Sequence, residues 1–222
     1  MYGVRMSSEP ALSSSRPGPR PRFTREQVLR EALALIDRVG AHAFSMRALA
    51  DELEIGVMTL YGYVRNKEEL LEAVTNLAFA DAHRDQAAGD SWDEALATIV
   101  RDLHGLFRRH PNLVTLVLAQ TSPSPELFRL RERMLDILCT AGFDSDAALY
   151  ALGALCNYAL GFGGAQAAAA PIEMPERIRA LPPEEFPRLA AASDSYASHL
   201  SDQAFEFGLA LLLGGLRNHL AQ

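Results

Sequence analysis

Cysteine is scarce in this chain: two in 222 residues, Cys139 and Cys156. Two are too few for a disulfide framework, and each reads as a small hydrophobe in a reducing cytoplasm. The six histidines form neither an HExxH pair nor a Cys/His metal spacing. GxSxG is missing, and so is a glycine-rich phosphate loop between strand and helix. Adjacent carboxylates such as Asp51-Glu52 and Glu184-Glu185 point apart on a helix, so they do not form an acid–base pair. These absences speak against an enzyme and against a bound metal or cofactor. The first 23 residues, MYGVRMSSEPALSSSRPGPRPRF, have no apolar core, so they do not read as a signal peptide. The longest apolar run, from Ala147 to Ala170, is interrupted by Asn157 and several glycines, and reads as a buried helix rather than a membrane span. No strand period appears anywhere, and the expected class is all-α.

What is present is an uneven charge. The whole chain carries a formal −7. Residues 1–67 hold ten Lys+Arg against seven Asp+Glu, a balance of +3, and the remainder holds eleven against twenty-one. That asymmetry suggests a polyanion-binding head on an acidic body. Residues 1–22 are mostly Ser, Pro, Gly and Arg and have little to bury, so a disordered basic arm is expected. Arg5, Arg16, Arg20 and Arg22 suit a solubilising tail and a phosphate-following arm equally.

Helix signals begin at Thr24, where Gln27 three residues on completes a capping box. Val28, Leu29, Ala32, Leu35, Ile36 and Val39 recur at helical spacing until Gly40. Ser45 caps a second helix with Leu49 and Leu53 facing inward. The turn Glu54-Ile55-Gly56 leads to a short third helix over 57–63, and Asn66 caps a fourth running to about Asp85. Two short helices separated by a few residues form a helix-turn-helix pattern. The second of such a pair can enter the major groove of DNA. Thr59, Tyr61 and Tyr63 would supply hydroxyls to phosphates or bases, Val57 and Met58 could touch thymine methyls, and Leu60 with Val64 would anchor the helix. Lys67 would reach the phosphate backbone, and Arg47 a guanine or a phosphate. The alternative from the same residues is an all-α small-molecule carrier whose head only packs. Arg47, Arg65 and Lys67 clustered with tyrosines speak against it.

The stretch REQVLREALALIDRVGAHAFSMRALADELEIGVMTLYGYVRNKEELLEAV resembles the DNA-binding domain of the tetracycline-repressor (TetR) family, above all in FSMRALADEL and TLYGYVRNKEEL. The resemblance places Arg47, Thr59, Tyr61, Tyr63 and Lys67 on operator-contacting positions and Val57 and Met58 on base-facing ones. It implies a head over 23–66 and an effector-binding, dimerising body over 67–222, hence a homodimeric repressor released from a palindromic operator by a small molecule. One departure concerns the turn, where the family has Gly and this chain has Glu54. A left-handed non-glycine residue there costs about 1 kcal/mol, and the fold is expected to survive. The body carries the resemblance more loosely, through SWDEALATIVRDLHGLFRRHP, AGFDSDAALYALGALCNYALGFG and FEFGLALLLGGL.

In the body, Ser91 opens a helix with Trp92, Leu96, Ile99, Leu103 and Phe107 along one side, ending at Pro111. A short helix over about 112–120 follows, then one from Ser124-Pro125 to Gly142, and a long apolar one from Asp144 to about Gly163. A proline-rich connection precedes the last helix, over about 198–220. The helices over 144–163 and 198–220 are apolar on too many faces for one core. Gly153, Gly161, Gly208 and Gly214 would let a partner approach, so a four-helix bundle built from two chains is expected. A pocket lined by Leu103, Phe107, Leu116, Val117, Phe128, Met134 and Leu138 would hold the effector. Three polar groups interrupt its surroundings, each with a plain alternative. His83 is a lever residue or an exposed helix end, His104 a ligand contact or a satisfied core histidine, and Asn157 a pocket group or a bond across the dimer axis. Tetracycline-type relatives bind drug with magnesium. By resemblance His83 keeps their pocket histidine, while Val117 and Ala165 stand near their metal-ligating histidine and acidic pocket residue. The expected effector is therefore largely apolar and metal-free.

Overall fold

The computed structural model describes residues 22–82, 91–119, 124–168 and 174–222. His83 and the basic arm up to residue 21 lie outside the described residues, as does any continuation of the fourth helix to Asp85. Among the described residues there are eleven α-helices, one 3-10 turn and no strand. They are α1 (Arg25–Val39), α2 (Met46–Glu52), α3 (Val57–Leu60), α4 (Lys67–Ala82), α5 (Trp92–Arg109), α6 (Pro111–Ala119), α7 (Pro125–Ala141), α8 (Ser145–Ala168), α9 (Met174–Arg179), α10 (Pro187–Ala191) and α11 (Asp202–Leu220).

Local chemistry sets the helix ends. The Thr24 hydroxyl accepts from Gln27 N, while Gln27 Oε1 accepts from Thr24 N at 2.7 Å. Ser45, Ser91, Ser124 and Ser201 each accept a backbone N–H three residues on, satisfying a donor that the first helical turn leaves open. Gly142 ends α7 in the left-handed region, φ 110°.

Three boundaries differ from expectation. The third helix is a single turn, Val57–Leu60. The chain then leaves it through bonds from Gly62 N to Thr59 O and Tyr63 N to Leu60 O, three residues apart. The long apolar helix continues past Gly163 to Ala168, so Gly163 lies inside it, at a close contact rather than at a helix end. A Cβ at Gly163 would stand 2.6 Å from Phe107 Cβ. The final helix starts at Asp202, where Ser201 provides the cap, and the proline-rich connection forms α9 and α10.

The core of the body is α8 packed along α5, flanked by α6, α7 and α11. Between residues 145 and 166 α8 is long and apolar enough to cross a bilayer, more so than the interruptions at Asn157 and the glycines suggested. Here it serves as the central packing element. Helix α4 touches α1 on one side and α5, α6 and α7 on the other, so it joins head to body.

Candidate nucleic-acid interface and effector core

Leu60 and Val64 are buried in the head and hold α3 in place, each worth about 1.5–3 kcal/mol of transfer free energy. The opposite side of α3 is left to solvent. Met58 is 82% exposed, Thr59 is exposed and Tyr61 is 42% exposed. Val57 and Tyr63 are half-buried and pack partly against the core, so their reach outward is shorter. Arg47 is exposed in the first turn of α2. One short segment therefore presents an apolar tip, a hydroxyl and a phenol, with a guanidinium nearby on α2.

The turn between α2 and α3 departs from ideal geometry where the sequence indicates. Glu54 has φ 52°, the only non-glycine residue with positive φ among those described. Arg22 reaches across to it, donating to the Glu54 carbonyl at 3.2 Å and to its carboxylate at 3.3 Å. Behind the turn, Arg25 donates to the Tyr63 carbonyl at 3.3 Å and pairs with Glu69. Glu69 also accepts from the backbone N–H and the guanidinium of Arg65, and these bonds hold its carboxyl below the usual range. Sequence reasoning missed this bracing; its one legible signal was the Arg22/Arg25 pair opening the first helix.

Lys67 is not a free surface cation. Its Nζ donates to the Phe44 carbonyl at 2.6 Å and lies 5.5 Å from the centre of the Phe44 ring. An ammonium has three donors, so two remain for an outer partner. Lys67 thus binds the start of α4 to the loop before α2.

The expected effector residues divide in two. Leu103, Phe107, Leu116, Met134 and Leu138 are buried together in the body core, and Val117 packs at its edge. Phe128 is 54% exposed. It stands one step off the buried stripe Leu127, Leu130, Met134 and Leu138, which corrects its assignment to the lining. Asn157 is exposed too and leaves the pocket for the outer face of α8. His104 is a satisfied core histidine. Its Nε2 meets Gln166 Oε1 at 2.9 Å, its ring stacks on Phe205 at 3.8 Å, and Gln166 in turn donates to the Leu200 carbonyl. Gln166, a lone amide in an alanine run, was the missed sequence signal.

Two open grooves flank the head–body junction. One, of about 690 Å³, lies between α1, α4 and the start of α7, beside Leu29, Glu72, Asn76 and Pro125. The other, of about 470 Å³, lies between α1, α4 and the end of α5, beside Arg30, Asp37, Asp81 and His110. Neither is lined by the residues expected for the effector. Among the described residues no group of three or more His, Cys, Asp or Glu side chains could hold a metal. Val117 and Ala165, which the resemblance sets near the metal-ligating histidine and the acidic pocket residue of tetracycline-type relatives, have no ligand atom in their side chains, so a metal held in that way does not fit here.

A one-turn exposed helix on a buried anchor, carried by a three-helix head and joined through α4 to a helical body, defines a helix-turn-helix DNA-binding regulator. The family model for bacterial regulatory proteins of the tetR family matches residues 28–74, and the tetracyclin repressor-like C-terminal domain matches residues 86–220. This chain belongs to the TetR family, and it is an effector-responsive, DNA-binding transcriptional regulator. It is similar to the tetracycline repressor protein class E of Escherichia coli, 31% identical over 90% of this chain and 93% of that one. Apo ActR from Streptomyces coelicolor superposes with TM-score 0.77 at 26% identity, covering 92% of this chain and 99% of ActR. ActR in complex with actinorhodin gives TM-score 0.75 at 26% identity over 90% and 99% of the two chains.

Proposed function

We propose that two copies of this chain form a repressor that a small, mostly apolar effector releases from a palindromic operator in the cytoplasm. The observation that carries the reading is the outward face of α3, where Met58, Thr59 and Tyr61 stand free while Leu60 and Val64 hold the backbone. Met58 would read thymine methyls, Thr59, Tyr61 and Tyr63 would bond phosphates or base edges, and Arg47 and Lys67 would fix register on the backbone. The pairing surface is the outer face of α8 and α11. Tyr150, Ala154, Asn157 and Gly161 form one exposed stripe, and Phe207, Leu211, Gly215 and Asn218 form another. Tyr150 and Leu211 are 73% and 63% exposed, which two neighbouring helices do not leave wet without a partner. The effector site is the body core around Leu103, Phe107 and Met134, opened by the ligand it accepts. The likeness to ActR, solved with actinorhodin, supports a ligand in the body and does not name it for this chain. A ligand that favours a different spacing of the two heads releases DNA, since it shifts an equilibrium only through differential affinity.

The test is to select duplexes from a random pool and footprint them. Pseudo-palindromic sites with half-sites about one helical turn apart, ~34–36 Å, are expected. Protection of a single asymmetric half-site would reject the dimeric reading. Failure to enrich any duplex at low salt would reject DNA binding altogether.

A further inference from the structure

At the seam between head and body, the last turn of α1 meets the junction of α5 and α6. Asp37, on α1, accepts at Oδ2 from His110 Nδ1 at 2.7 Å. His110 is the residue that ends α5. Two residues on, Asn112 donates from its side chain to the Asp37 backbone carbonyl at 3.3 Å. The Asn112 amide oxygen also lies 3.8 Å from where a Cβ on Gly40 would stand, so the contact wraps the end of α1.

Asp37 is costly where it stands. A carboxylate in the last turn of a helix faces the negative end of the dipole. Its other oxygen, Oδ1, is buried and has no hydrogen-bond partner among the described residues. A buried acceptor left without a donor loses its solvation with no bond in return, so fold stability alone does not account for a carboxylate here. Its partners do. His110 and Asn112 belong to the body, while Asp37 belongs to the helix that carries the head. Within the head Arg38, next to Asp37, pairs with Glu52 of α2 at 2.8 Å, and Arg30 pairs with Asp81 of α4 at 2.8 Å. These pairs tie α2 and α4 to α1, and the Asp37 side chain points from α1 to the body.

We propose that the Asp37–His110 hydrogen bond, seconded by Asn112, is a clasp that sets the orientation of the head on the body. Asp37 and His110 are then positioning residues for operator binding. They touch no DNA, and they act by narrowing the range of head orientations so that both recognition helices meet the groove in register. Helix α6 begins at this clasp and packs against α8 as well as α1 and α4, so a shift of the body core reaches Asp37 directly. This rests on the head being the operator-binding part.

The experiment uses the full chain with spin labels at His42→Cys, on the exposed loop after α1, and Thr140→Cys, exposed near the end of α7 and off the pairing stripes, in a Cys139→Ser, Cys156→Ser background. Labelled protein is mixed with excess unlabelled protein so that only distances within one chain are read. Asp37→Ala, His110→Ala and the double variant are each expected to broaden the 42–140 distance distribution. All three should weaken binding to a selected operator about tenfold, with the double variant no worse than either single one, because one clasp is lost in every case. Asp37→Asn keeps an acceptor for His110 and should recover most of the affinity. An unchanged distribution in a folded Asp37→Ala or His110→Ala variant would overturn the clasp, as would additive losses in the double variant. If the distributions broaden but the wild-type protein binds no duplex, the clasp stands and the DNA-binding reading falls.

Discussion

Single residues carry the recognition face, and their roles separate by what else they touch. Tyr61 leans on little, so Tyr61→Ala should abolish operator binding and leave the melting temperature within a few degrees of wild type. Lys67 has a second duty. Lys67→Ala should weaken binding uniformly across sequences and flatten the slope of log K against log salt by about one, as loss of the one phosphate contact proposed for it requires. It should also lower stability, because the Phe44 carbonyl loses a charged donor. Unchanged operator affinity in both variants would mean that the recognition element is wrong. Glu54 tests the backbone. At φ 52° glycine relieves about 1–2 kcal/mol of left-handed strain but costs about 0.5–1 through its unfolded freedom. Glu54→Gly is therefore expected within about 1 kcal/mol of wild type by urea unfolding. Glu54→Ile, β-branched, should lose more than that. The exposure of Met58, Thr59 and Tyr61 was legible in residue types and spacing. Neither announced the tether of Lys67 or the bracing by Arg22 and Arg25, because those contacts join segments whose proximity only the fold creates.

Among elements, caps and apolar periods were readable because they are local. Thr24, Ser45, Ser91 and Ser124 cap the helices that their positions indicate. Burial depth was less readable. Helical period says which residues share a face but not where a second helix will lie on it, so Phe128 was assigned inward and stands outward, and of the two places open to Asn157 it takes the outer one. Nor did the sequence reveal the strut between α5 and α11, whose partners lie about a hundred residues apart. Arg101 pairs with Glu206, Arg108 with Asp202 and Arg217 with Asp93. The Ser91 hydroxyl and then Arg217 hold the Asp93 carboxyl below its ordinary value, and Arg101 does the same for Glu206. A depressed folded pKa gives stability that is full above the unfolded value, near pH 4, and is lost as pH falls through the folded one. Wild-type stability should therefore decline below about pH 4, and Arg217→Met should flatten that acid limb. An unaltered limb in urea unfolding at pH 3 to 5 would remove Asp93 from the account.

For the whole molecule, the question is whether α8 and α11 end at water or at a second chain. Four glycines on these helices, Gly153, Gly161, Gly214 and Gly215, have nothing within 4 Å of the place a Cβ would occupy. In a monomer such glycines are a plain loss, and each Gly→Ala change should stabilise the helix by about 0.8–1 kcal/mol. In a pair of chains they are the sites of close approach. Two further glycines of these helices, Gly208 and Gly163, are crowded within the single chain. A Cβ at Gly208 would meet the Tyr158 hydroxyl, which donates to the Phe205 carbonyl at 2.8 Å, and a Cβ at Gly163 would meet Phe107. Gly208→Ala and Gly163→Ala should destabilise whatever the oligomeric state, by about 1–3 kcal/mol through overpacking. Gly153→Leu and Leu211→Asp carry the discrimination. Both should shift sedimentation from dimer to monomer, Leu211→Asp because it places a charge in the middle of an apolar contact. Helicity should survive in each, since both positions face outward in the single chain. A wild-type protein that sediments as a folded monomer, with Gly153→Ala simply more stable, would leave the paired four-helix bundle without support. The spacing of two recognition helices would then have no frame to hold it.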